Sequence, residues 1–148
     1  LDYLTADIES PLAKIKMDIH DIPFPENTFD VIFCNHVLEH VQDDKKALSE
    51  MLRVLKPGGW AILQIPIFKP LIDQTIEDPT LKDPKKRAEL FGQDDHVRMY
   101  GKDYADRIRS TGFDVIEEHF ITELAPSLVK KHALPEGEII HRAIKPNQ

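Results

Sequence analysis

The sequence holds a single cysteine, Cys34, among its 148 residues, which excludes an internal disulfide. Nothing in it resembles an export signal, and no apolar stretch approaches the roughly 20 residues that cross a bilayer. A soluble protein in a reducing, cytoplasmic setting is expected, with no membrane partner. Basic charge is also scarce: 19 Lys and Arg stand against 26 Asp and Glu, for a formal charge of −7. That balance opposes the counterion release that drives non-specific nucleic-acid binding, and the longest basic run is only Lys85, Lys86 and Arg87. Nucleic acid is therefore excluded as a general partner. Glycine is sparse too, at positions 58, 59, 92, 101, 112 and 137, and none of these has G-x-G spacing. No internal repeat or low-complexity segment is found, and the length fits one domain.

What is present is an alternation of strand-like and helix-like periods. LDYLTAD is a short β-like run ending in an acid, and IKMDI is a second, after the turn residues Ser10 and Pro11. Phe29 to Cys34 is an almost unbroken apolar run, which predicts a central parallel strand with both faces covered. From Asp43 or Asp44, the residues Ala47, Leu48, Met51, Leu52 and Leu55 recur at helical spacing. Pro57, Gly58 and Gly59 are expected to stop that helix and turn the chain into the β-rich WAILQIPI, completing a βαβ unit.

Residues 67–100 read as a lid or insertion, with Asp83, Pro84 and Gly92 as cap, first-turn proline and terminator of one small helix. Lys102 to Thr111 predicts another helix ended by Gly112, and FDVIEEHF a strand. The turn signal Pro135, Glu136, Gly137 precedes a last strand, EIIHRAI. The whole is α/β, a mostly parallel sheet with helices on both faces.

Residues 36–40 read HVLEH, which fits the zinc signature H-x-x-E-H. A zinc pair four apart needs a stable helix and a third ligand, and the sequence announces no third ligand, so no metal is expected. The buried thiol expected at Cys34 is given no role.

The series DIESP, MDIHDIPFPENTFDVIFCNHVLEHV, MLRVLKPGGWAIL and STGFDVIEEHF resembles the class I S-adenosylmethionine-dependent methyltransferases, over Leu1 to about Phe120. Glu138 to Ile144 resembles that family's last, antiparallel strand. The resemblance implies a Rossmann-like sheet of seven strands, with the cofactor S-adenosylmethionine across the carboxyl ends of the first four. It assigns Asp7 to the ribose hydroxyls, a role that suits a carboxylate with two acceptor oxygens. Asp18 and Ile19 match the positions that meet adenine, and Asn35 and His36 those beside the methionine part. His40 and His96 are the candidate bases for an acceptor that must lose a proton, and Arg98 and Tyr100, within DDHVRMYG, the candidate contacts to a small-molecule substrate.

The departure lies in the glycine-rich loop that follows the family's first strand, which the resemblance places upstream of Leu1. Without that strand, the runs LDYLTAD and FDVIFCN have rows of backbone groups in need of a partner. These could be met by an N-terminal extension, by strand donation from another chain or homo-oligomer, or by direct pairing of the two. The chain alone is expected to bind the cofactor poorly. An enzyme is the first reading. A non-catalytic methyltransferase-like module without its cofactor loop is the alternative, followed by a nicotinamide oxidoreductase and, last, a zinc hydrolase.

Overall fold

The computed structural model describes residues 2–135 and 137–147. Leu1, in the first β-like run, and Glu136, in the final turn signal, lie outside the described residues. Two short strands, β1 (Ala6–Asp7) and β2 (Ile15–Lys16), pair in parallel near the start. The main sheet joins β3 (Phe29–Phe33), β4 (Leu55–Ile62), β7 (Asp114–Glu118) and β8 (Ile140–Ile144), in the order β3-β4-β8-β7. β3 and β4 are parallel, and β8 runs antiparallel to both of its neighbours. This is an α/β, Rossmann-like sheet with its last strand reversed.

Helix α1 (Asp44–Val54) begins where Asp43 accepts the amide of Lys46, and it buries Ala47, Leu48, Met51 and Val54 along one stripe. Helix α3 (Tyr104–Arg109) buries Tyr104, Ala105 and Ile108. α1 and α3 touch each other, and the core they share contains Cys34, Ala61, Leu63 and Ala143, from one side of the sheet. On the other side, Val31 and Phe33 are 36% and 70% exposed, and Phe33 meets Trp60 edge to face with ring centroids 5.8 Å apart. The apolar run Phe29–Cys34 thus forms a strand with one open face, and among the described residues its outer edge has no strand partner. β1 does not pair with β3, so direct closure of the gap is not what the chain adopts.

The residues expected to form a turn behave differently. Lys56 to Gly59 bulge out of β4: Phe29 faces Leu55, and Val31 already faces Trp60. Gly58, at φ +75°, sits in the bulge with its amide on the carbonyl of Lys145.

Residues 67–100 are closed by an antiparallel pair, β5 (Ile76–Glu77) and β6 (Arg98–Met99). Between them lies α2 (Pro84–Phe91), capped by Asp83 and ended by Gly92 in the left-handed region, as its residues predict. Two short helices, α4 (Phe120–Glu123) and α5 (Pro126–Lys131), follow β7, in a stretch with no helical expectation.

Candidate functional site

The carboxyl end of β3 carries the residues of interest. Asn35 accepts the amide of Gln64 at 3.4 Å, and His36 follows at φ +55°, its own amide on the carbonyl of Gln64 at 2.8 Å. Left-handed backbone at a histidine is uncommon and marks a sharp departure of the chain from the strand. Residues 38–40 continue as a tight turn, with the His40 amide on the Val37 carbonyl at 3.0 Å. HVLEH is thus a turn, and a helical zinc pair is not what these residues form.

A buried cation holds the turn in place. Arg98 donates through Nη1 to the carbonyls of Leu38 (2.5 Å) and Val41 (2.6 Å), and through Nη2 to that of Gln42 (3.1 Å). Its Nε reaches Glu77 at 3.1 Å, and the side chain is 1% exposed. The guanidinium is spent on backbone carbonyls and faces no open space, so Arg98 shapes the loop after β3 and does not present a charge to a substrate. Tyr100 is buried as well, its hydroxyl 2.8 Å from Asp44 and 3.2 Å from the Leu38 carbonyl, and burial drives its pKa well above the ordinary value. Both substrate assignments give way to structural roles. The cause is contact between segments 56 to 62 residues apart.

The two candidate bases come together. The His40 and His96 rings lie edge to face with centroids 4.7 Å apart. His96 is buried, its Nδ1 3.0 Å from the carbonyl of Phe91, while His40 is half-buried with Nδ1 3.2 Å from Asp95. A third group joins them: Glu39, 1% exposed, lies with Oε1 3.8 Å from His40 Nε2 and 3.6 Å from His36 Nδ1. No sequence signal joins residue 96 to residues 39 and 40, which lie 56 or more positions away. Cys34 is buried, and that burial, with the charge of Glu39 added, pushes its thiol up to about 12.

The acids expected at the cofactor sit at the ends of the first two strands. Asp7 closes β1, where Oδ1 accepts the amides of Glu9 (2.8 Å) and Ser10 (2.7 Å). The amide of Ser10, followed by that of Glu9, lowers its pKa and fixes the charge, and Oδ2 takes no part in this turn. Asp18, beyond β2, accepts from the amide of His20 at 2.9 Å and from its Nδ1 at 2.7 Å. The amide of Asp43 donates to the other nitrogen of the same ring at 3.3 Å, so His20 ties the end of β2 to the start of α1. Its tautomer follows: Nε2 accepts, hence Nδ1 carries the proton and donates to Asp18. Ile19 packs against the core. Ribbon ends bearing Asp18 and Asn35 are thereby linked through one histidine and the loop 36–43.

A family model for the methyltransferase domain matches residues 3–63. Over nine tenths of the chain the backbone also superposes on known methyltransferases. The fold is that of the class I methyltransferases. An S-adenosylmethionine-dependent methyltransferase from Mesorhizobium loti is matched at a TM-score of 0.58 and 14% identity, over 91% of this chain and 71% of that one. A phosphoethanolamine N-methyltransferase 2 of Haemonchus contortus, solved with phosphomonomethylethanolamine and S-adenosylhomocysteine, is matched at 0.51 and 18%, over 90% and 37%. In sequence, the ubiquinone/menaquinone biosynthesis C-methyltransferase UbiE of Pasteurella multocida is 42% identical over 59 residues, 40% of this chain and 22% of that protein. The chain thus spans less than a quarter of the length of that curated relative. The methyltransferase strand order accounts for β8 lying reversed between β4 and β7.

Proposed function

We propose that the chain is part of an enzyme that transfers a methyl group from S-adenosylmethionine to a small-molecule acceptor. The observation that carries this reading is the methyltransferase-domain match over residues 3–63, the segment that holds Asp7, Asp18, Asn35 and His36. The donor set fits the cofactor's nucleoside end. Asp7 keeps one oxygen outside its turn for a ribose hydroxyl, and Asp18 is exposed, with a side chain oriented by His20. On this reading Ile19 gives the adenine an apolar neighbour, and Asn35 and His36, which follow β3, are assigned to the methionine part.

When bound, the sulfonium supplies an already activated methyl group. The chain's task is then to hold donor and acceptor in line and to exclude water, and such positioning contributes several kcal/mol, in the range of ~7–11 at best. Acid or base chemistry is secondary. For an acceptor that must lose a proton, His40 is the better placed of the two histidines, since Asp95 holds its Nδ1 and leaves Nε2 to accept. The strand slot beside β3 bears on affinity. The outer edge of β3, without a strand partner among the described residues, favours completion of the sheet by one further strand, from a second copy or from a segment that also brings a glycine-rich turn.

A second reading is a methyltransferase-like binding module that does not use the cofactor. Calorimetry separates the two. Saturable, weak binding of S-adenosylmethionine by this chain, strengthened when a strand and glycine-rich loop are added upstream, supports the enzyme. No binding in either form supports the module, and tight NAD binding would replace both.

A further inference from the structure

We infer that Glu39, His40 and His96 form a binding site for a divalent transition-metal ion of the zinc class. The ligand atoms these residues offer all lie within 4.8 Å of one another. Glu39 supplies the independent sign. Its side chain is almost wholly buried, and Oε2 has no hydrogen-bond partner among the described residues. Its other oxygen sits 3.6 and 3.8 Å from two imidazoles, beyond good hydrogen-bond length. A buried carboxylate left in this state is costly and calls for a cation.

Both histidines are arranged as metal ligands are. His96 Nδ1 faces a carbonyl, which can only accept, so that nitrogen carries the proton and Nε2 carries the lone pair. His40 Nδ1 faces the carboxylate of Asp95 and turns Nε2 toward Glu39. Each imidazole therefore has an outer partner that fixes its tautomer, the pattern that orients and strengthens ligating histidines. The frame is equally fixed: the Val97 amide bonds the Glu39 carbonyl at 2.9 Å, and Arg98 grips the carbonyls of Leu38 and Val41 on either side.

Two imidazoles and one carboxylate suit zinc or cobalt, and they lack the oxygen ligands that calcium or magnesium demand. Metal–ligand distances of about 2.0–2.1 Å place tetrahedral donors about 3.4 Å apart, so the three groups close in by roughly an ångström on binding. His36, exposed over 57% of its side chain, stands at the mouth, where it or a water completes the shell. With a metal in place, His40 Nε2 would be a ligand, and a metal-bound hydroxide would be the group able to take a proton. The inference does not depend on the methyl-transfer reading.

The test uses the whole chain, dialysed against chelator and then titrated with cobalt(II) and zinc(II) chloride. One metal per chain by mass spectrometry is expected, with the visible absorption of four- or five-coordinate cobalt, and no comparable uptake of magnesium. Asp95→Asn changes only an exposed outer partner and is expected to lower affinity ten- to a hundred-fold with circular dichroism unchanged. Glu39→Gln and His96→Gln should abolish the cobalt spectrum, while His132→Gln leaves it intact. Absence of stoichiometric uptake, or uptake unaltered by His96→Gln in a folded protein, overturns the assignment.

Discussion

Arg107 grips Asp44 with two bonds, Nε to Oδ2 at 2.6 Å and Nη2 to Oδ1 at 2.8 Å, joining α3 to the first turn of α1. Asp44 is buried and also accepts from Tyr100, while Arg107 reaches on to Glu77 in β5. Helix, helix and the 67–100 segment are thus fastened at one carboxylate. Asp44→Asn keeps the shape and removes the charge, leaving Arg107 and Arg98 under-compensated in a buried setting. A loss of about 3–5 kcal/mol is expected in chemical denaturation, because removing one partner of a buried pair strands the other.

Acid should unfold the protein in stages whose signs follow from the shifts. Burial lowers the pKa of His141 below 6.5, so its contribution is complete above that value and fades as pH falls. At Asp44 burial pushes upward, but Arg107, Arg98 and Tyr100 outweigh it and the net shift is downward from 3.8. Glu50 is held at about 2, chiefly by its bond to Arg53. Stability set by these carboxylates is present above about pH 4.5 and is lost as pH falls toward 2. Urea midpoints measured from pH 7 to pH 2 check the order, with Asp44→Asn removing part of the lower step.

Arg98→Lys is expected to behave as a disruptive change. An ammonium cannot reach three carbonyls and Glu77 in the fork geometry of a guanidinium. A loss of about 3 kcal/mol follows if two charge-assisted bonds go unmade, seen as a drop in Tm of roughly 6–12 °C for a domain of this size. A substrate contact would instead leave Tm unchanged.

These residues show what the sequence made legible. Caps and stops were readable because they act within a few residues: Asp43 before α1, and Asp83 and Gly92 around α2, stand where their chemistry placed them. The alternation of strands and helices was readable from periodicity, and the reversed β8 from the resemblance alone. Arg98 and Tyr100 were not, since their partners at residues 38–44 are distant in sequence and a DDHVRMYG loop looks equally able to serve a ligand. The open face of β3 is not legible in Phe29–Cys34, because apolar composition does not say whether a neighbouring layer is present. Pro126 is a fair start signal for α5, but α4 and α5 are too short to show a period.

Cys34 should be inert in the folded state. With its thiol raised to about 12 by burial, it carries almost no thiolate at pH 8. Ellman's reagent is expected to react within seconds in 6 M guanidinium and not within an hour in native buffer. Rapid native labelling would contradict the packing around Glu39.

Asp7→Asn isolates the ribose assignment from the turn. The amide oxygen still accepts from Glu9 and Ser10, so the fold is retained, but the charge and one acceptor are gone. Affinity for S-adenosylmethionine should fall about tenfold. Equal affinity by calorimetry removes Asp7 from the site.

The central claim, that the carboxyl ends of β1, β2 and β3 hold the cofactor's nucleoside and methionine parts, is tested most directly by amide NMR of the labelled chain during titration with S-adenosylmethionine. Saturating shifts at residues 7–10, 18–20 and 35–37, with none on adding NAD at the same concentrations, are the expected result. Shifts confined to other surfaces, or equal responses to NAD, would contradict it.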